Sequence, residues 1–389
     1  MPMLADSDNL PPDDFIQDGV AFCNTTIRQT VRLSIGTEKF LRVRLSNAFG
    51  SKPITLSQTT LALATKDKSG TTEIHSETIQ SVRFGGSESS IIPAGALMVS
   101  DAVNFGFPLN SNTVLSISIF FETGHDAQCI VTHPGSRTTS YFTKGNHVSE
   151  GDFNHLTVKQ NDHWYYISGV EVFAPRDTRA FALIGDSITD GRCSITNGDT
   201  RWPDILFRRL QASTSGLHTS LAIVNQAAGG NRVMDDGLGP SVLSRLDRDI
   251  ISLSGVSCVM IFEGINDIGM EPADSCSQGA LSNRLIASYK QIAIRLRSQG
   301  IAIFVATLTP FGLSQVDPKE ESTRQAVNNW IRTSSIFDAV IDFDEILRDP
   351  AHHSLLKREY DSGDGLHPNQ SAFYAMADSF PIDIFEKLF

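Results

Sequence analysis

Phe181-Ala-Leu-Ile-Gly-Asp-Ser-Ile-Thr-Asp-Gly191 is the stretch on which the reading of this chain turns. Phe181 to Ile184 is an apolar run without alternation, as expected of a strand buried on both faces of a parallel sheet. Gly185 interrupts it, and Gly185-Asp186-Ser187 follows at the strand's carboxyl end. In open α/β sheets, ligands and reacting groups collect at that edge. A serine on a sharp turn there can present its hydroxyl to a cleft. Taken alone, the stretch is equally a strand-to-helix turn with Ser187 as the helix N-cap.

Downstream, strands and helices alternate. Apolar runs predict further strands at 221–225, 256–262, 301–307 and 339–342, after a first at 179–184. Arg201-Trp-Pro-Asp-Ile-Leu-Phe-Arg-Arg-Leu predicts a helix with Pro203 in its first turn. Further helices are expected near 241–253, 280–299, 321–334 and 369–388, and Gly300 stands where a helix would stop. This alternation predicts a parallel sheet with helices on both faces.

Upstream the pattern differs. Thr30-Val-Arg-Leu-Ser-Ile, Phe40-Leu-Arg-Val-Arg-Leu-Ser and Val114-Leu-Ser-Ile-Ser-Ile-Phe-Phe alternate, and Trp164 to Phe173 is a further β-rich run. Turn clusters at Asn47-Ala-Phe-Gly-Ser, Gly85-Gly-Ser and Asn110-Ser-Asn separate them. Many short strands without a helical period predict an antiparallel β-sandwich. Ala174-Pro175-Arg176-Asp177 marks the boundary. The expected organisation is a β-sandwich domain over 1–175, with a loose polar arm over 1–15, and an α/β domain over 176–389.

Composition bounds the function. The 389 residues suggest more than one domain, and 40% hydrophobic with 20% charged residues permits a large core. A net charge of −12 argues against nucleic acid or an anionic membrane as partner. No apolar run approaches the roughly 20 residues of a membrane span. The N-terminus shows no basic-then-apolar signal segment, which reads as a cytoplasmic protein or one written without its signal. The five cysteines, Cys23, Cys129, Cys193, Cys258 and Cys276, form no C-x-x-C pair and read as reduced thiols. His352-His353 with Asp349 lacks a third metal ligand at sensible spacing, so no metal is expected.

The chemistry comes from residues far apart. Asp364-Gly-Leu-His367-Pro-Asn places an aspartate three residues before a histidine. Such an aspartate can accept the ring Nδ1–H, fix the tautomer and leave Nε2 to take a proton from Ser187. Asn225-Gln-Ala-Ala-Gly-Gly230-Asn-Arg follows the second strand. Gly230 lets a backbone N–H approach a substrate oxygen, and its plainer reading is a turn glycine. Glu263-Gly-Ile-Asn266-Asp267 follows the third strand. Asn266 can add an amide N–H to the same oxygen, and its plainer reading is a helix cap. Each feature is weak singly. Together they supply a nucleophile, an oxyanion site, a base and its orienter at one rim of a sheet.

Gly185-Asp-Ser-Ile, Gly230, Gly264-Ile-Asn-Asp and Asp364-x-x-His367 resemble the four blocks of the SGNH (GDSL-type) hydrolase superfamily. Arg201-Trp-Pro-Asp, Gly229-Gly-Asn-Arg-Val and Asp361-Ser-Gly-Asp-Gly-Leu-His-Pro-Asn are similar to a two-domain microbial subgroup with an N-terminal β-sandwich containing a segment like Arg42-Val-Arg-Leu-Ser-Asn-Ala-Phe-Gly. The resemblance implies a flavodoxin-like three-layer α/β/α domain behind a jelly-roll-like sandwich. It implies Ser187 as nucleophile, His367 as general base and acid, and Asp364 as its orienter. The Ser187 N–H, Gly230 N–H and Asn266 amide would form the oxyanion hole, with no cofactor. It leaves the substrate open among glycan deacetylation, lipid or thioester hydrolysis and acyl transfer.

Around these positions, Asp186, Trp202, Arg232 and Phe311 are candidates to line the substrate pocket; core packing and salt bridging are the plainer readings for Trp202 and Arg232. The expected activity is that of a serine esterase on short-chain, acetyl-type esters of a carbohydrate or small metabolite. It rests on the absence of a long apolar lid segment and on glycan-active relatives with sandwich domains. The alternatives are a lipase, lysophospholipase, thioesterase or acyltransferase using the same triad, and a carbohydrate-binding protein with a vestigial hydrolase. An esterase of this kind should lose activity on the acid side as His367 protonates, near an ordinary histidine pKa of about 6.5.

Overall fold

A computed structural model of the chain describes residues 2–312 and 317–389. The chain forms two compact units. One comprises residues 2–176 with 195–198; the other comprises 177–194 with 199–389.

The first unit is antiparallel β. Its largest sheet has six strands in the order Lys159–Asn161, Ser140–Lys144, Thr25–Arg32, Val114–Phe121, Gln58–Leu63, Gln80–Ser81. A three-stranded sheet pairs Leu41–Ser46 with Leu97–Val99 on one side and Ile167–Val172 on the other. Inward residues of both sheets, among them Ile27, Val43, Leu45, Ile117, Ile119 and Phe121, share one apolar core. Alternation in Val114–Phe121 suggests a solvent-facing polar side, yet all eight residues are buried. The strand lies inside the sheet, and buried Arg28 reaches over it, donating from Nε to Ser118 Oγ (2.9 Å) and from Nη1 to Thr72 O (2.7 Å). Tyr166, at φ 61°, breaks the expected Trp164–Phe173 run into two strands.

Two expectations for this unit are corrected. The N-terminal segment is not a loose arm: Met3–Leu4 pairs with Val131 and Thr132, and Phe15 is buried in the core against Phe142. Met1 lies outside the described residues. Residues 195–198, read from the sequence as part of the second domain, group with the first unit. There Asn197 donates to Arg137 O (2.9 Å), accepts from Thr139 N (2.8 Å) and donates to Thr139 Oγ1 (2.8 Å).

In the second unit we number β1 (Arg179–Gly185), α1 (Ser187–Asp190), α2 (Trp202–Gln211), β2 (Leu221–Asn225), α3 (Val242–Leu246), β3 (Val256–Phe262), α4 (Ile265–Met270), α5 (Ser275–Arg297), β4 (Ala302–Ala306), α6 (Pro318–Thr333), β5 (Ala339–Ile341), α7 (Phe343–Leu347), α8 (Gln370–Ser379) and α9 (Ile384–Leu388). The five strands are parallel in the order β2-β1-β3-β4-β5. Because side chains alternate along a strand, each buried run feeds two cores. Phe181, Leu183, Met260, Phe262 and Phe304 pack with α2, α7, α8 and α9. Ala182, Ile184, Val259, Ile261 and Val305 pack with α3, α4, α5 and α6. The result is the three-layer α/β/α arrangement. Its strand order reverses at β1, so the carboxyl ends of β1 and β3 flank the kind of switch point at which open α/β sheets bind ligands.

The expected final helix over 369–388 is in fact two helices. Pro381 lacks an N–H and disfavours helical geometry at the residue before it, and Phe380 is extended (φ −64°, ψ 122°). Among the described residues no helix is long and apolar enough to cross a membrane.

Candidate active site

The turn after β1 builds the first part of the site. Asp186, extended at φ −97°, is the N-cap of α1, and its carboxylate accepts the Ile188 N–H at 2.8 Å. Ser187 is therefore the first helical residue and not the cap. Its N–H has no acceptor within the helix, as at any helix start. Its hydroxyl lies 2.8 Å from His367 Nε2.

His367 and Asp364 share a loop after the last strand. Asp364 Oδ2 lies 2.6 Å from His367 Nδ1, while Oδ1 accepts the backbone N–H groups of His367 (2.8 Å) and Leu366 (3.0 Å). Partial burial opposes the charged carboxylate. The His367 N–H, the His367 ring and the Leu366 N–H outweigh it and hold Asp364 well below the usual carboxylate range. An ionised Asp364 makes Nδ1 the protonated ring nitrogen and leaves Nε2 as the acceptor facing Ser187 Oγ. Asp361 braces this loop by accepting the Gly363 and Gly365 N–H groups, each at 2.9 Å. An aspartate two residues before a glycine is a readable Asx-turn signal.

The second loop, 226–231, is fastened to the serine turn. Ala228 N donates to Gly185 O (2.9 Å) and Gly229 N to Asp190 Oδ2 (3.0 Å). Gly230 has φ +67°, in the left-handed region, and a Cβ there would come within 2.6 Å of Leu238 Cδ1. Only glycine fits without strain or collision. Among the described residues no acceptor takes the Gly230 N–H.

The third loop follows β3. Asn266 donates from Nδ2 to Asn231 O at 2.9 Å, and Asp267 accepts the N–H groups of Val233 (2.8 Å) and Met234 (3.2 Å). The glycine and asparagine loops are thus joined beside the serine turn. Three residue types singled out in the sequence come together by direct hydrogen bonds, Ser187, His367 and Asp364. Gly230 and Asn266 join them through their loops.

The pocket candidates divide. Trp202 is corrected: it is fully buried, with its indole N–H on Thr189 Oγ1 (3.3 Å) and its ring against Phe343 and Phe380. It is a core residue under the serine turn and lines no surface pocket. Arg232 is half-buried and donates to Asp236 O. Phe311 is half-buried, and the next residue, Gly312, donates to Gly365 O at 2.8 Å in the histidine loop. Sequence reasoning missed Asn231, Arg245 and Asp267, because their roles are contacts between loops and no local pattern announces them.

A group of carboxyls lies beneath the turn. Burial pushes Asp186 up to about 7, against the Ile188 hydrogen bond and with help from Asp267 and Asp190. Burial pushes Asp267 up to about 6, and it drives Glu263 well above its ordinary range. For each raised group the folded state holds a proton that an unfolded carboxyl near pKa 3.9 releases. The stability this proton contributes is present at low pH and is lost as pH rises through the folded value. Stability should therefore decline from about pH 4 up to about pH 6 for Asp267 and about pH 7 for Asp186, by up to about 1.4 kcal/mol per pH unit for each of the two while it lasts. Asp186→Asn keeps an oxygen for the Ile188 N–H and should flatten that decline. Denaturant titrations across this range test it, and parallel curves for the two proteins would refute the assignment.

Among the described residues, no group of three or more His, Cys, Asp or Glu side chains is placed to hold a metal ion. Residues 183–373 match the GDSL-like Lipase/Acylhydrolase family. Among curated proteins none matches the chain. Similar solved structures include a GDSL-like lipase from Bacteroides thetaiotaomicron, 15% identical, covering 56% of this chain and 92% of its own, with a TM-score of 0.40. Another is an acetylxylan esterase from Geobacillus stearothermophilus, 21% identical, covering 53% of this chain and 94% of its own, with a TM-score of 0.39.

Proposed function

We propose, from the match of residues 183–373 to the GDSL-like Lipase/Acylhydrolase family, that the protein is a serine esterase acting on short-chain esters, acetyl esters of a carbohydrate or small metabolite foremost. The observation that carries the mechanism is the hydrogen-bonded series from Ser187 Oγ through the His367 ring to Asp364, with contacts of 2.8 and 2.6 Å.

In this reading Ser187 Oγ attacks the ester carbonyl carbon as its proton passes to His367 Nε2. The carbonyl π pair moves onto oxygen. The resulting oxyanion is met by the Ser187 and Gly230 N–H groups and the second amide hydrogen of Asn266. Collapse breaks the bond to the alkoxy oxygen, and His367 returns its proton to the leaving alcohol. Water then attacks the acyl-serine, gives its proton to the same nitrogen, and the carboxylic acid departs as Ser187 recovers its hydrogen. Ionised Asp364 stabilises the imidazolium formed in each half-reaction.

The preference for short acyl groups follows from composition. The chain after α1, Arg192-Cys-Ser-Ile-Thr-Asn-Gly-Asp-Thr200, and the segment Asn231 to Pro240 are polar and glycine-rich, with no long apolar flap to shelter a fatty chain. A series of nitrophenyl esters from acetate to palmitate should give kcat/KM highest at two to four carbons and lower by about 10²-fold or more at long chains; each methylene without a matching pocket forgoes roughly 0.8 kcal/mol. A maximum at long chains would replace this reading with that of a lipase. Faster turnover with a thioester, or with an alcohol acceptor in place of water, would replace it with a thioesterase or acyltransferase.

A further inference from the structure

The Asn266 amide is useful only if its free hydrogen points at the right place, and the structure contains a device for that. A side-chain NH₂ group has two donors in one plane. One is held by Asn231 O at 2.9 Å, which sets the direction of the other. The same contact fixes which way the amide is turned, since the flipped form would set Oδ1 against a carbonyl oxygen.

Asn231 is itself held. It is fully buried and directly follows Gly230. Arg245, from α3, donates to its Oδ1 twice, from Nε at 3.0 Å and from Nη2 at 2.7 Å. Asn231 Nδ2 donates to Pro240 O at 2.8 Å. Arg245 also donates from Nη1 to Gln226 O at 2.7 Å. One guanidinium therefore grips the start of the glycine loop at Gln226 and its end at Asn231. That fork geometry suits Arg and not Lys.

Arg245 is 2% exposed, and such a charge is costly to bury without compensation. Asp249 Oδ2 stands 3.7 Å from its Nη1. Asp249 does not belong to the proton relay, and helix α3 could pack on its apolar face without an arginine. A buried cation spent on two loop acceptors needs a reason beyond packing.

We propose that Arg245 and Asn231 are positioning residues that aim two of the three oxyanion donors, the Gly230 N–H and the Asn266 amide, by locking the glycine loop and the asparagine loop into one rigid unit. This rests on the oxyanion reading above. Neither residue touches substrate. Arg245 acts through Asn231, and Asn231 acts through its carbonyl on Asn266 and through the backbone on Gly230.

The test is a double-mutant cycle on the full chain with nitrophenyl acetate. Asn266→Ala alone should lower kcat by about 10²–10³-fold. Arg245→Lys should lower kcat by about 10- to 100-fold with KM within about three-fold, since the ground-state ester makes little use of an oxyanion site. In the Asn266→Ala background the further loss from Arg245→Lys should shrink to less than about a third of its effect alone, because part of its target is gone. Asn231→Ala should show the same split and the same non-additivity. Circular dichroism and thermal midpoints accompany each variant.

Full additivity in a folded Arg245→Lys protein would overturn the proposal, as would a loss seen in KM alone. If Arg245→Lys does not fold, Asn231→Ala carries the cycle; failure of both to fold would make the pair a core element and overturn it as well. If Asn266→Ala leaves kcat intact while Ser187→Ala does not, the oxyanion assignment fails first and the brace falls with it, an outcome distinct from additivity.

Discussion

Ser187→Ala should lower kcat by about 10⁵–10⁶-fold while KM for a nitrophenyl ester stays within a few-fold. The hydroxyl stands 2.8 Å from His367 Nε2 on a turn fixed from both sides, by the Asp186 cap on Ile188 N–H and by Gly185 O accepting the Ala228 N–H. Alanine removes one oxygen and leaves that turn untouched, so binding should persist while the acyl-enzyme cannot form. Residual turnover should come from water attacking an ester held in the oxyanion site. A fluorophosphonate should label the wild type at Ser187 and leave the variant unmodified. Comparable labelling of both proteins, with exposed Cys193 as the modified residue, would remove Ser187 from the mechanism. Absence of labelling and of ester turnover in the wild type would favour a binding protein with a vestigial hydrolase.

Asp364→Asn should cost about 10³–10⁴-fold in kcat, and the mechanism of the loss is specific. Asp364 Oδ1 accepts two backbone N–H groups, those of Leu366 and His367, which fixes it as an oxygen in the variant too. The new amide NH₂ then faces His367 Nδ1, where the wild type has Oδ2 at 2.6 Å. A donor in that place favours the tautomer with the proton on Nε2, so the ring presents a hydrogen to Ser187 Oγ instead of a lone pair. The Asp364 side chain is 43% exposed, so water can relieve part of the mismatch, which sets the expectation below that for Ser187. The acid limb of the wild-type rate should move to lower pH in the variant, since the carboxylate that favoured the charged imidazole is gone. A variant with wild-type kcat, or an unmoved acid limb, would show that Asp364 does not orient the base.

Much of the fold could be read from residue order, because its signals are local. Leu221–Asn225 and Val256–Phe262 form the strands their apolar runs predict, and Trp202–Gln211 carries Pro203 in its first turn, where proline is favoured. The candidate triad was legible for another reason: the three side chains must be of particular types, and each lies within two residues of a glycine or proline that marks a turn. Errors arose where a local pattern met a long-range partner. Trp202 follows a turn near the serine and reads as a pocket wall; the structure buries it between Phe343 and Phe380, both more than a hundred positions along. The first residues look polar enough to be loose, yet Met3–Leu4 finds a strand at Val131 and Thr132. Ser116 and Ser118 look solvent-facing, but Arg28 lies over that side of the sheet.

By itself the order of residues determined the five strands of the second unit and most of the helices between them, and it supplied a serine, a histidine and an aspartate of suitable chemistry beside turns. Those properties depend on backbone preference and hydrophobic period, which act over a few residues. Tertiary structure alone decided that Ser187 and His367 lie 2.8 Å apart and that Asn231 Oδ1 meets the Arg245 fork. It likewise decided that Asn266 leans on the carbonyl of Asn231, 35 positions away in the chain. Such contacts are made between loops at the ends of different strands, and only the order and register of the parallel sheet brings those ends together.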